Sequence, residues 1–109
     1  MITAERAHDI LLTMPVVEEK QKPGYQDFRV KGRLFAKLWL GAGLANLKVG
    51  KDEQFMLSSQ GKMFSITKGG NSVGWITVKL GLLGEKEFLD VVWKAWRHVA
   101  GPNLSLQYY

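Results

Sequence analysis

Hydrophobic and polar residues alternate almost strictly from Arg33 to Leu40, and this is the clearest local pattern in the chain. Successive side chains of a strand point to opposite faces, so the alternation predicts a strand with two different faces. One face would carry Leu and Ala side chains, including Leu34 and Leu38, and is expected to pack on the core. The other face would carry basic and aromatic side chains in turn: Arg33, Phe35, Lys37 and Trp39. We therefore expect a sheet with one buried side and one side that binds a partner.

Weaker alternations before and after this strand predict the rest of the sheet. Turns that contain glycine separate most of these segments, as in antiparallel sheets joined by hairpins. One such turn is predicted at Gly69-Gly70-Asn71. The polar stretch 16–26, which includes Pro23-Gly24, is interpreted as a connector. The additional strand segments are residues 27–31, 44–49, 63–68 and 74–80.

Apolar residues three and four positions apart predict three helices, each with one buried stripe. The first helix ends at Pro15, the second spans about residues 52–59 and the third spans about residues 85–100. The predicted fold class is α+β, a two-layer α-β(3)-α-β(2)-α arrangement with a five-stranded antiparallel sheet and helices on one face. We expect a single domain over residues 1–109. The tail 103–109 is apolar enough to pack on the domain or on a partner.

The amino-acid composition excludes several classes of protein. Hydrophobic residues make up 46% of the chain, which is enough for a real core. Cysteine is absent, which excludes disulfides, thiol catalysis and cysteine-based metal sites. No apolar run approaches the roughly 18 residues of a transmembrane helix, and the N-terminus lacks the pattern of a signal peptide. We expect a cytoplasmic protein without membrane contact.

The positive charge of the chain is concentrated in the predicted sheet. The formal net charge is +5, and 11 of the 15 basic residues, but only 3 of the 10 acidic residues, lie between Lys20 and Lys79. Clustered positive charge attracts polyanions over long distances. Solubility is the alternative explanation, since lysines also protect exposed sheet surfaces and edges.

Several segments, taken in order, resemble the MmcQ/YjbR-like family. They are residues 17–19, 24–30, 32–36, 74–78 and 95–100. The resemblance covers nearly the whole chain and implies a fold similar to type III secretion chaperones and to frataxin-like (CyaY-like) domains. It also implies DNA binding, since members are commonly described in that way, but it brings no agreed catalytic residues. The chain departs from many members near Gln60-Gly61, where a turn containing proline is expected before the fourth strand.

The outer face of the predicted sheet is the leading candidate site. Aromatic rings on a sheet can stack on bases, and surrounding lysine and arginine side chains can neutralise phosphates. Two other interpretations remain open: the rings only cover one another, or the face is a homodimer interface. The residues expected to contact nucleic acid are Arg29, Arg33, Phe35, Lys37, Trp39, Lys48, Trp75 and Lys79.

No other group of residues in the sequence predicts a catalytic or metal-binding site. Glu18-Glu19 is interpreted as solvated charge, and His8 and His98 lie off the buried stripes of their helices. A metal site would need both histidines together with a carboxylate such as Asp9. Ser58-Ser59 has no nearby base. We therefore expect no catalysis, no cofactor and no metal, and a module that binds DNA or RNA. A protein-interaction or chaperone-like homodimer is the alternative, and an enzyme whose site the sequence does not group is a third possibility.

Overall fold

The computed structural model describes residues 1–69 and 72–108, and these form three helices and one antiparallel sheet of six strands. The helices are α1 (Ala4–Thr13), α2 (Lys51–Ser58) and α3 (Glu85–Tyr108); the strands are β1 (Val17–Lys22), β2 (Tyr25–Val30), β3 (Arg33–Trp39), β4 (Leu44–Lys48), β5 (Phe64–Ile66) and β6 (Trp75–Lys79). The strand order is β1-β2-β3-β4-β6-β5. The predicted α+β class is confirmed. Within the described residues, no helix is long and apolar enough to cross a membrane.

The core lies between one face of the sheet and the apolar stripes of the helices. The central strands and the helices each contribute fully buried side chains. They are Ala36, Leu38, Ala45, Leu47, Ile76 and Val78 from the sheet, and Leu11, Phe88, Val92 and Trp96 from the helices. Nε1 of Trp96 donates a hydrogen bond of 2.8 Å to the carbonyl oxygen of Pro15, so the one polar group of this large side chain is satisfied. The opposite face of the sheet is uncovered by helices and is called the outer face.

Strand β1 falls within the stretch that the sequence pattern presents as a connector, so the sheet has six strands rather than five. Its residues are mostly exposed on both faces, and alternation of apolar and polar residues is absent. The strand forms because it pairs with β2 along its whole length, from Val17 opposite Val30 to Lys22 opposite Tyr25. Charged side chains on an edge strand also oppose further pairing.

A β-bulge in β3 reverses the predicted alternation at the start of the strand. Phe28 pairs with Ala36, but the next residue, Arg29, pairs with Leu34, so Phe35 is an extra residue in β3. Phe35 is 0% exposed and belongs to the core, whereas Leu34 is half-buried beside Arg29 on the outer face. The prediction that Phe35 lies on the outer face and Leu34 in the core is therefore wrong. A shift of one residue exchanges the two faces of a strand.

Helix α3 is interrupted at Gly101, whose φ of 82° and ψ of 168° are not helical. The predicted end of the helix near residue 100 coincides with this break, but the chain resumes helical structure as far as Tyr108. Leu104 is buried, and the ring of Tyr108 packs edge-on against Trp96 with 6.0 Å between centroids. The described part of the tail thus packs on its own domain. The turn predicted at Gly69-Gly70-Asn71 lies partly outside the described residues.

Candidate nucleic-acid interface

The strand register arranges the outer-face side chains in three rows that cross the sheet. The aromatic row is Lys22, Tyr25, Trp39, Leu44 and Lys79. The middle row is Lys20, Asp27, Lys37, Asn46, Thr77 and Ser65. The third row is Glu18, Arg29, Leu34, Lys48 and Trp75. Each row contains lysine or arginine, and six basic side chains face two carboxylates, Glu18 and Asp27, so basic charge is spread across the whole face.

Two rings stack on each other in the aromatic row. Tyr25 and Trp39 are stacked with 5.3 Å between ring centroids and 29° between ring planes. The ammonium nitrogen of Lys37 lies 5.2 Å from the centroid of the Tyr25 ring, a distance typical of a cation–π contact. These contacts fix the orientation of the Trp39 ring. Trp39 is half-buried, so part of its indole is open to a ligand.

Trp75 provides a second aromatic group at the other end of the outer face. Trp75 is half-buried and pairs with Lys48 of β4. Trp39 is level with the opposite end of β6, because it pairs with Leu44 of β4, and Leu44 in turn pairs with Lys79 of β6. Trp39 and Trp75 are thus two strands apart across the sheet and four residues apart along it. Strand spacing and rise per residue put their backbones about 16 Å from each other. Neither indole covers the other.

The one carboxylate in the middle row is neutralised from within the sheet. Asp27 is 2% exposed, and its Oδ2 lies 3.3 Å from Nη2 of Arg29. Nη1 of Arg29 donates a hydrogen bond of 3.1 Å to the carbonyl oxygen of Gly32. Arg29 is therefore engaged in internal contacts, and the positive charge that remains available to a ligand belongs to the lysines.

Two adjoining hollows of about 340 and 430 Å³ open on the outer face between β3, β4, β6 and the segment after β5. Together they are called the outer-face recess. The walls shared by both hollows are Trp39, Asn46, Thr67 and Lys68. The hydroxyl of Thr77 donates a hydrogen bond of 2.9 Å to Oδ1 of Asn46, and the hydroxyls of Thr67 and Thr77 are 3.1 Å apart. A ladder of polar groups therefore lines a recess that has two tryptophans, Trp39 and Trp75, and two lysines, Lys37 and Lys68, on its walls.

The structure brings together most of the side chains that the sequence nominates. Within residues 1–69 and 72–108, the nominated side chains that lie on the outer face and form no ion pair are Lys37, Trp39, Lys48, Trp75 and Lys79. Arg29 shares this face but contacts Asp27. The prediction that Arg33 lies on the outer face is wrong, because the bulge shifts the register and Arg33 pairs with the buried Val30 at the end of β3. Its side chain lines a depression beside α3 and a hollow that it shares with Lys48 and Trp75. Phe35 is buried in the core and cannot stack on a ligand.

Several outer-face residues were not singled out from the sequence. Asn46 and Thr77 have the same parity in their strands as residues that were nominated, so the alternation contained the signal for both. Tyr25 begins β2, but it lies in the stretch 16–26 that was interpreted as a connector. Lys20 was missed because β1 was interpreted as a connector. Lys68 follows β5, and its contribution to the recess depends on the path of the chain, which alternation does not describe.

His8 lies away from the outer face, whereas His98 borders it and lines a hollow of about 450 Å³ together with Leu34, Lys48 and Trp75. Nε2 of His8 is 2.6 Å from Oε2 of Glu19, and Nδ1 is 3.7 Å from Oδ1 of Asp9, so His8 joins α1 to β1. His98 is exposed and lies against Gly50, at the start of α2. In residues 1–69 and 72–108, no group of three or more His, Cys, Asp or Glu side chains could hold a metal ion.

The fold and the outer face define the class of this protein: a small two-layer α+β domain with one open, basic and aromatic sheet face. The sequence profile of the YjbR family matches residues 12–98, which include all six strands, and the chain belongs to this family. The resemblance seen in the sequence is thereby confirmed. A comparison with curated proteins gives no match.

Proposed function

We propose that this protein is a non-catalytic module that binds nucleic acid, principally DNA, through the outer face of its sheet. One observation supports the proposal above the others: the Tyr25–Trp39 stack and Trp75 stand among lysines on a single uncovered face. Aromatic rings can stack on bases, and lysines release counterions when they contact phosphates. The absence of cysteine is consistent with action in the cytoplasm.

The distribution of charge favours approach by this face. The three outer-face rows contain six basic and two acidic side chains, whereas α1 and α3 together contain four basic and five acidic side chains. The acidic ones on these helices are Glu5, Asp9, Glu85, Glu87 and Asp90. A segregated field of this kind orients a polyanion toward the basic face before contact is made. The two indoles, about 16 Å apart, would then stack on bases along one bound strand.

Replacing Trp39 by alanine should weaken DNA binding by about 5- to 150-fold, which corresponds to the roughly 1–3 kcal/mol of one lost stack. Lys37→Ala should weaken binding less, and for each lost phosphate contact it should flatten the log–log salt slope by about 0.7 for single-stranded and about 0.9 for duplex DNA. The measurement is fluorescence anisotropy of labelled single-stranded and duplex DNA at several salt concentrations.

Phe55→Ala and Lys86→Ala are the matched controls, because both side chains are exposed on helices and lie off the outer face. They should bind DNA as the wild type does. Equal affinity of Trp39→Ala and wild type, or an equal loss in Phe55→Ala, would contradict the proposal. Binding without salt dependence would contradict it as well.

A protein-interaction or chaperone-like homodimer is the second candidate, and the edge of the sheet at β5 favours it. Phe55 and Met56 of α2 are 75% and 54% exposed, and Ile66 of the edge strand β5 is 51% exposed. Exposed apolar side chains beside an open strand edge are typical of association surfaces. In the experiment above, this candidate would be supported by absent DNA binding together with a light-scattering mass that rises with protein concentration.

A further inference from the structure

We propose that the outer-face recess holds one unpaired adenine of a DNA single strand, and that Asn46 reads the edge of this base. The inference rests on the proposed function and deepens it, because it names the form of nucleic acid, the base and the residue that recognises it. Three features support it: the width of the sheet, the size of the recess and the polar groups of Asn46, Thr67 and Thr77.

The width of the sheet excludes readout of a duplex by this face. Six strands at a spacing of about 4.8 Å span about 24 Å, whereas the major groove is about 12 Å wide. The face can therefore touch the phosphates of a duplex but cannot enter its groove. A base reaches the recess only when it is unstacked and turned out, as in a single strand.

The recess has the dimensions and walls of a site for one base. Its hollows of about 340 and 430 Å³ are at the lower end of the roughly 300–1,000 Å³ that is usual for small-molecule sites. Trp39 lines both hollows and offers a ring for stacking, and Leu34 and Leu44 add apolar contact. Lys37 and Lys68 line the same recess, so positive charge lies where the adjoining phosphates would pass.

The polar ladder fixes the amide of Asn46 in an orientation suited to adenine. Because the hydroxyl of Thr77 donates to Oδ1 of Asn46, the hydroxyl of Thr67 is left to donate to Thr77. Within residues 1–69 and 72–108, no hydrogen bond from the amide nitrogen of Asn46 is seen. This nitrogen can donate to N7 of adenine while the second lone pair of Oδ1 accepts from N6, the usual bidentate pairing of asparagine with adenine.

The test compares two labelled strands of about 12 nucleotides, one of thymidine alone and one with a single central adenine. Wild type should bind the strand with adenine about tenfold more tightly, as expected for one bidentate contact. Asn46→Asp keeps the acceptor for Thr77 but loses the N–H donors, so the ratio of the two affinities should fall to about one. The added negative charge weakens both strands alike and cancels in the ratio. Asn103→Asp adds the same charge on an exposed residue of α3 and should keep the preference.

A change in the DNA tests the same contact without altering the protein. Replacing the central adenine by 7-deazaadenine removes the N7 acceptor, and with it one of the two hydrogen bonds to Asn46, and should lower the affinity toward that of the thymidine strand. Equal binding of the two original strands by wild type overturns the adenine site and leaves the proposed function standing. Binding of neither strand overturns both. A duplex bound as tightly as the strand with adenine also overturns the inference, because a paired base cannot enter the recess.

Discussion

Two aromatic residues of β3 have the same parity in the sequence but opposite positions in the structure. Phe35 and Trp39 are four residues apart, and strict alternation assigns both to the outer face. The bulge inserts Phe35 as an extra residue, so its ring is fully buried, while Trp39 stays on the outer face and stacks on Tyr25. Alternation predicts the face of a side chain only while the strand pairing is regular. A bulge inserts one residue, and the residues before it then point to the opposite face from the one that alternation predicts.

The buried position of Phe35 predicts a large effect on stability. Phe35→Ala should lower the free energy of unfolding by about 3–5 kcal/mol, because it removes a fully buried ring and leaves a cavity. Trp39→Ala should lower it by about 1 kcal/mol, since the half-exposed indole loses mainly its contact with Tyr25. Urea denaturation of both variants measures the difference. A larger loss in Trp39→Ala than in Phe35→Ala would contradict the assigned positions of the two rings.

At the scale of elements, the sequence predicts those whose apolar residues follow a regular period. The three helices and β2, β3, β4, β5 and β6 all bury one side, and the spacing of their apolar residues reveals this. β1 has mostly exposed polar side chains, so no period marks it. It is a strand because β2 offers a free edge for pairing, which is a property of the assembled sheet.

The break in α3 depends on a backbone conformation that only glycine adopts readily. Gly101, with φ of 82° and ψ of 168°, directs the following turns back so that Leu104 is buried and Tyr108 contacts Trp96. Gly101→Ala should lower the free energy of unfolding by about 1–3 kcal/mol, the usual cost of a strained residue in this region. It should also increase amide hydrogen exchange in residues 103–108.

Gly41→Ala is the matched control for this prediction. Gly41 has no positive φ, and nothing lies within 4 Å of an added Cβ. This variant should change stability by less than about 0.5 kcal/mol and should leave exchange in residues 103–108 unchanged. Equal stability of the two variants would indicate that α3 does not need glycine at its break.

At the scale of the whole molecule, the candidate site follows from the sheet being basic on one face and covered by helices on the other. Composition and alternation are sufficient to assign Lys37, Trp39 and Trp75 to the same face of the sheet. The recess could not be predicted in this way, because Asn46 and Lys68 come from separate segments that only the strand order brings together. Alternation assigns residues to faces, whereas the shape of a face is a property of the fold.

An ion pair on the helical side joins the beginning of the chain to the start of α3. Nε of Arg6 donates a hydrogen bond of 3.0 Å to Oε1 of Glu85, and Nη2 of Arg6 contacts the same oxygen. The hydrogen bond from Arg6 lowers the pKa of Glu85 below its usual value of 4.5, and the same bond raises the pKa of Arg6. Both side chains are about half exposed, so the effect of the pair on stability is screened by solvent.

The lowered pKa of Glu85 gives the pair a defined pH dependence. A carboxylate whose pKa is lower in the folded than in the unfolded state stabilises the fold above its unfolded pKa, and this contribution is lost as the pH falls through the folded pKa. The difference in unfolding free energy between wild type and Glu85→Gln should therefore be constant above about pH 6 and should shrink as the pH falls below about 4.5. Urea denaturation across this range measures it. In a protein that carries Arg6→Gln, the effect of Glu85→Gln on the unfolding free energy should no longer depend on pH. If the difference between wild type and Glu85→Gln is the same at about pH 3 and pH 7, the two side chains do not form the pair in solution.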